Sequence, residues 1–73
     1  MPLVQVRLIE GVFTPKQKQA MISKLTDAMV SIGGENIRQV TWVIIEEVKS
    51  GEWSIGGQTL TAEGVKALTG GED

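Results

Sequence analysis

Histidine and cysteine are both absent from this chain, which narrows the acid–base chemistry open to it. Histidine is the usual switchable base near neutral pH, and cysteine supplies the reactive thiolate. Carboxylates, lysines and the chain's own amino terminus remain. The start Met1-Pro2 gives the last of these a specific form. Initiator methionine is usually trimmed before a small second residue, and trimming here leaves a secondary amine on Pro2. An α-amino group titrates at about 7.7–8.0, and a prolyl amine is intrinsically more basic. Apolar burial or a nearby cation disfavours its charged form and brings it towards neutrality. Such a base suits the removal of a proton next to a carbonyl. Many proteins begin Met-Pro without using it, so the dipeptide by itself fixes nothing.

Other candidate groups are weaker. Glu46 and Glu47 are adjacent, so a strand would send them to opposite faces and prevent a carboxylate dyad. Solvation or a cross-subunit salt bridge is their expected use, with a general-acid or water-activating role as the alternative. No Gly-Lys-Ser/Thr follows Gly56-Gly57, so that pair is no phosphate loop. Without cysteine or histidine, thiolate and imidazole metal sites are excluded; carboxylate-only sites for hard cations remain open, although no calcium-type loop is present.

These groups must be positioned by a small body. The 73 residues form a single domain, 1–73. A core of this size seldom supplies more than about 3–5 kcal/mol. With disulfides and thiolate or imidazole metal sites excluded, self-association is the expected stabiliser. Apolar residues make up 41% and charged residues 22%, both ordinary for a globular domain. The net charge is −2, and the seven basic residues form no dense run, so nucleic acid is not an expected partner. No apolar stretch reaches the ~20 residues that span a bilayer, and no signal peptide is evident. A cytoplasmic protein without membrane contact is the expectation.

Residues 2–9 read as a strand with Leu3, Gln5, Arg7 and Ile9 on one face and Val4, Val6 and Leu8 on the other. Thr14-Pro15-Lys16-Gln17 predicts a capped helix start. Met21, Leu25, Ala28, Met29 and Ile32 then form an apolar helical stripe that Gly33-Gly34 ends. Val40–Val48 reads as a second strand, apolar on both faces. Strand, helix and strand make a β-α-β unit with parallel strands, an α/β (α+β) subunit. One helix cannot cover both sheet faces, so another subunit is the natural cover. The glycines between Gly51 and Gly57 suggest a short hairpin or bulged loop, and Thr61–Leu68 suggest one or two helical turns. Residues 66–73 are expected to form a frayed tail.

Several of these segments occur together in one known family. Pro2 through Gly11, the helix after a short loop, Val43-Ile44-Ile45-Glu46-Glu47 and Gly51-Glu52-Trp53-Ser54-Ile55-Gly56-Gly57 resemble the 4-oxalocrotonate tautomerase family, in order and spacing. The resemblance covers roughly residues 2–66. It implies a β-α-β subunit that assembles into dimers and commonly hexamers. It also implies an amino-terminal proline that moves protons between carbon and oxygen of an enol or dienol acid. Pro2 matches that catalytic base, Trp53 the aromatic pocket residue and Ile9 an apolar wall position.

Two positions depart from the pattern. Well-known members carry arginine where this chain has Val12, and again where it has Trp42. Those arginines bind substrate carboxylates and polarise the carbonyl. Arg38 is the leading substitute, because a neighbouring subunit could bring it near Pro2; Arg7 and Lys49 are weaker ones. Trp42 could stack on a substrate ring or pack at an interface. The resemblance therefore implies a cofactor-independent tautomerase. Its partner would be a small enol or keto acid, namely a 2-hydroxy-dienoate or arylpyruvate enol. An apolar pocket of Trp53, Trp42, Ile9 and Val12 favours a monocarboxylate with a hydrophobic tail over a dicarboxylate. Two alternatives stay open: a subunit of a mixed hexamer whose partner supplies the arginines, and a non-catalytic oligomeric binding or structural protein.

Overall fold

The computed structural model describes residues 1–69. Strand β1 (Leu3–Ile9) is followed by helix α1 (Pro15–Gly33), a 3-10 segment (Glu35–Val40) and strand β2 (Trp42–Val48). Two short strands, β3 (Trp53–Ile55) and β4 (Gln58–Leu60), precede helix α2 (Ala62–Leu68). β1 and β2 pair in parallel from Leu3↔Trp42 to Ile9↔Val48. The pairing continues beyond both ends: Trp42 N–H donates to the Pro2 carbonyl (2.9 Å) and Glu10 N–H to the Val48 carbonyl (2.7 Å). The family fold expected from the sequence is therefore present.

The local signals explain most elements. The Thr14 side chain accepts from Gln17 N–H (3.1 Å), and the Gln17 side chain accepts from Thr14 N–H (2.8 Å). This is the capping box that sequence predicted, with Pro15 opening the helix. α1 ends where Gly34 takes a positive φ of 95°. Gly56 and Gly57 both have positive φ, and Ile55 pairs with Gln58, which defines a two-residue primed hairpin turn.

Three expectations need correction. The second strand begins at Trp42, because residues 35–40 tighten into the 3-10 segment. Within the helical stripe, Met21, Leu25 and Met29 are half-buried, but Ala28 is exposed and Ile32 is 85% exposed. Val30 is buried instead. The last turn of α1 meets the 3-10 segment, where Ile37 lies over Gly33, and this turns its buried side away from Ile32. Lys66–Leu68, expected to fray, form the end of α2, while residues 70–73 of that predicted tail lie outside the described residues.

The sheet has one covered face. Val4, Val6, Leu8, Val43 and Ile45 lie half-buried on the side that carries α1. Leu3, Trp42 and Ile44 stand on the open side, with Trp42 54% exposed. Among the described residues only Ile9, Val30 and Ala62 are buried hydrophobic residues. The chain measures 42 × 24 × 17 Å, with a radius of gyration of 14.7 Å. A compact chain of this length would have about 11 Å. So thin a core leaves the stabilising work to an apolar face that a single copy does not cover.

β1 is joined to α2 through Gly11, whose φ is +87°. A Cβ added there would sit 3.2 Å from the Ala62 side chain. Replacing Gly11 with alanine is therefore expected to lower the unfolding free energy by about 1–2 kcal/mol, the cost of a left-handed side-chain-bearing residue. Urea unfolding at fixed protomer concentration reads it; an unchanged midpoint would mean that the loop relaxes without strain.

Candidate active site

Beyond Ile9 the chain turns back on itself and encloses a cleft of about 730 Å³. β1 contributes Arg7, Leu8 and Ile9, and the loop after it contributes Val12 and Phe13. Trp53 and Leu60, paired across the hairpin, form the opposite wall with Val65 of α2. Lys66, Thr69, Thr14 and Gln17 complete the rim. The hairpin and α2 are tied to this place by polar contacts. Gly51 N–H donates to the Leu60 carbonyl (3.0 Å), and Ala62 N–H donates to the Ser50 hydroxyl (2.9 Å). Thr61 caps α2 by accepting from Gly64 N–H (3.1 Å).

The walls are apolar, and the charged lining residues, Arg7 and Lys66, are both cations. Such a cleft suits a small anion with a hydrophobic body. Arg7 is partly committed: its Nε donates to Glu46 (3.1 Å), which also accepts from the Gln5 amide (2.8 Å). The glutamate pair does split across the strand. Glu46 lies on the open face, and Glu47 on the helix side accepts from Lys18 (2.9 Å). Both are paired within the chain, where the sequence reading expected solvation or a cross-subunit salt bridge.

The six site residues expected from sequence divide into two groups. Ile9, Val12 and Trp53 line the cleft. Pro2 sits at the other end of β1, its carbonyl held by Trp42 N–H. At about 3.3 Å per residue, Pro2 lies about 23 Å from Ile9. Trp42 stands beside that end on the open face, paired with Leu3 in the ladder. The sequence reading grouped Trp53, Trp42, Ile9 and Val12 in one apolar pocket with Pro2 as its base, and had Arg38 reach Pro2 from a neighbouring subunit. A single copy brings only Ile9, Val12 and Trp53 together.

Arg38 precedes β2 and is occupied. Its Nε donates to Glu35 (2.6 Å) and its Nη1 to Asp27 (2.8 Å). Its hydrogen bonds to these carboxylates, Glu35 first, hold the guanidinium more firmly protonated than usual. Lys49 follows β2 and does not line the cleft. Sequence reasoning missed Phe13, Leu60, Val65 and Lys66. The signal for the last three was available: a Gly-Gly turn followed by a Thr61 cap folds the chain back over Gly11.

With this geometry in place, the comparisons with known proteins become specific. Residues 2–63 match the family described as "Tautomerase enzyme". A probable tautomerase, K2, of Dickeya dadantii is 38% identical over 61 residues, covering 84% of this chain and 90% of that protein. The 2-hydroxymuconate tautomerase of Pseudomonas putida is 40% identical over 57 residues, 78% of this chain and 87% of the relative. The solved heterohexameric 4-oxalocrotonate tautomerase of Chloroflexus aurantiacus shares the fold with a TM-score of 0.72. It is 25% identical, and the match covers 81% of this chain and 92% of that one. The chain belongs to the 4-oxalocrotonate tautomerase family and is a member without arginine at Val12 and Trp42.

The Arg38 cluster gives a direct check. The hydrogen bond from Arg38, and then its charge, hold the Glu35 carboxyl below its usual value of 4.5. A lowered carboxylate favours the fold above its unfolded value and loses that contribution as pH falls through its folded one. Arg38→Gln is expected to return the Glu35 titration to the ordinary range, read by NMR of the side-chain carboxyl carbon. An unmoved titration would free Arg38 for another role.

Proposed function

We propose that the protein is a cofactor-independent tautomerase whose active site is shared between copies, with Pro2 of one copy as the base and the Trp53 cleft of the next as the pocket. The observation that carries this reading is the separation of Pro2 from an apolar, cation-rimmed cleft at the opposite end of the same strand. Among the described residues β1 pairs only with β2, so its outer edge is available. A second β1 added antiparallel to that edge would set each Pro2 beside the partner's Ile9 and Trp53. The same association would draw the two open apolar faces into one continuous surface. Met1 is 82% exposed and accessible to removal, which would leave the Pro2 nitrogen with a basic lone pair.

The chemistry follows from these positions. The Pro2 amine accepts the hydroxyl proton of a 2-hydroxy-dienoate or arylpyruvate enol. The C–O bond gains double-bond character as the carbon–carbon double bond shifts, and the proton returns to carbon. Negative charge grows on the substrate oxygen during transfer, so the cationic rim helps most at that stage. Trp53, Phe13 and Val12 keep the amine poorly solvated, which favours its neutral form.

A second reading is a subunit of a mixed hexamer. It is favoured by the hydrophobic residues at Val12 and Trp42, and by the heterohexameric state of the Chloroflexus relative. Under it, the purified chain turns over slowly until a partner with the arginines is added.

Pro2→Ala is expected to reduce kcat/KM by about 10²–10⁴-fold, the usual contribution of a positioned base. Intact mass decides first whether Met1 has been removed; a retained Met1 would deny Pro2 its lone pair and end the proposal. Mixing inactive Pro2→Ala and Trp53→Ala proteins under subunit exchange should regenerate some activity, because one hybrid site holds both native residues. No recovery would place Pro2 and Trp53 in separate sites. Ketonisation of a phenylpyruvate enol should exceed that of 2-hydroxymuconate; the reverse ranking would remove the preference for a single carboxylate.

A further inference from the structure

The cleft has two cations on its rim, and they are not equivalent. Arg7 is neutralised by Glu46 at 3.1 Å. Lys66, in the last turn of α2, makes no ion pair among the described residues. The polar neighbours are largely satisfied within the chain. Thr14 and Gln17 spend their side-chain oxygens on the capping box. The Thr69 hydroxyl donates to the Val65 and Lys66 carbonyls at 3.2 Å. Among the described residues no Asp or Glu lines the cleft. What remains is one uncompensated ammonium beside apolar walls made by Trp53, Phe13, Leu60 and Val65.

We infer that Lys66 is the carboxylate anchor of the cleft and sets its preference for a monoanionic acid with a hydrophobic body. This rests on the cleft being the ligand site proposed above. A lysine ammonium is a compact point charge on a flexible stem, so it can follow a carboxylate without the fixed fork of an arginine. One uncompensated cation holds one carboxylate well. A second carboxylate on the same molecule would face either the apolar wall or an arginine already engaged by Glu46, and would lose its water without full return. α2 thereby becomes the specificity element, positioned by Thr61 and by the contact of Ala62 with Gly11.

The test compares two probes that share one apolar body, cinnamate and the neutral cinnamamide, titrated calorimetrically into the assembled protein. Wild type should bind cinnamate about tenfold more tightly than cinnamamide, as expected of a hydrogen bond to a charged group. Lys66→Gln should erase that advantage and leave cinnamamide affinity unchanged, while Lys66→Arg should restore most of it. The wild-type advantage should also shrink as salt is raised. Equal binding of the two probes by wild type would overturn the anchor and leave the tautomerase reading standing. An equal loss of both probes in Lys66→Gln would also overturn it, showing that the lysine only supports α2. Failure of both probes to bind would end both the anchor and the pocket. A Lys66-dependent preference in a protein with no tautomerase turnover would retain the anchor and reject the reaction.

Discussion

The parallel pairing of β1 with β2 fixes both chemically useful ends of the molecule at once. At one end Trp42 N–H holds the Pro2 carbonyl, so the ring starts the strand in a set direction. At the other, Glu10 N–H bonds the Val48 carbonyl and launches the chain into the Gly11 turn. The strand between them is a ruler of about 23 Å. Its length keeps the amine and the pocket of one copy apart, whatever the side chains do. Under the proposed reaction, a stiff strand therefore turns a chemical requirement into a requirement for a second copy.

Stability makes the same demand. Three buried hydrophobic residues are a poor core for a folded chain, and the open sheet face displays Leu3, Trp42 and Ile44. Burying apolar surface is worth about 25 cal/mol per Å², so an uncovered face of this kind is a large unused source of stabilisation. In well-known family members an arginine stands at the position of Trp42. Here an indole takes that place, which exchanges a substrate-binding charge for apolar surface beside Pro2. Cations are then drawn from elsewhere in the chain, and the structure narrows which ones are uncommitted. Arg38 is held by Glu35 and Asp27, Arg7 by Glu46, and Lys18 by Glu47.

Much of the fold was legible because its local signals agree with one another. Thr14-Pro15 with Gln17 specified the start of α1, and Gly56-Gly57 specified the hairpin, since each motif acts through its own backbone. The strand start at Trp42 was not legible. Val40 is apolar and continues the strand pattern, but the 3-10 segment claims it by packing against the last turn of α1. The burial of Val30 and the exposure of Ile32 have the same origin, a helix whose buried side rotates as its packing partner changes from sheet to 3-10 segment. Periodicity alone assumes one partner along the whole helix.

The site was legible in its parts and illegible in its grouping. Pro2, Ile9 and Trp53 could be named from their positions, but only the ladder shows that Pro2 belongs to the far end. Arg38 looked available because sequence shows a charge without its neighbours; Asp27 is eleven residues away and reaches it only because α1 reverses into the 3-10 segment. Lys66 was missed although its signal was present: Thr61–Leu68 read as helical turns, and the Thr61 cap with the approach of Ala62 to Gly11 makes those turns a wall of the cleft. Substitutions at Gly11 or Thr61 would therefore act on ligand binding through the placement of α2, although neither side chain lines the cleft. Under the Lys66 assignment, specificity in so small a subunit depends on how its last helix is held, through the Thr61 cap and the close approach of Ala62 to Gly11.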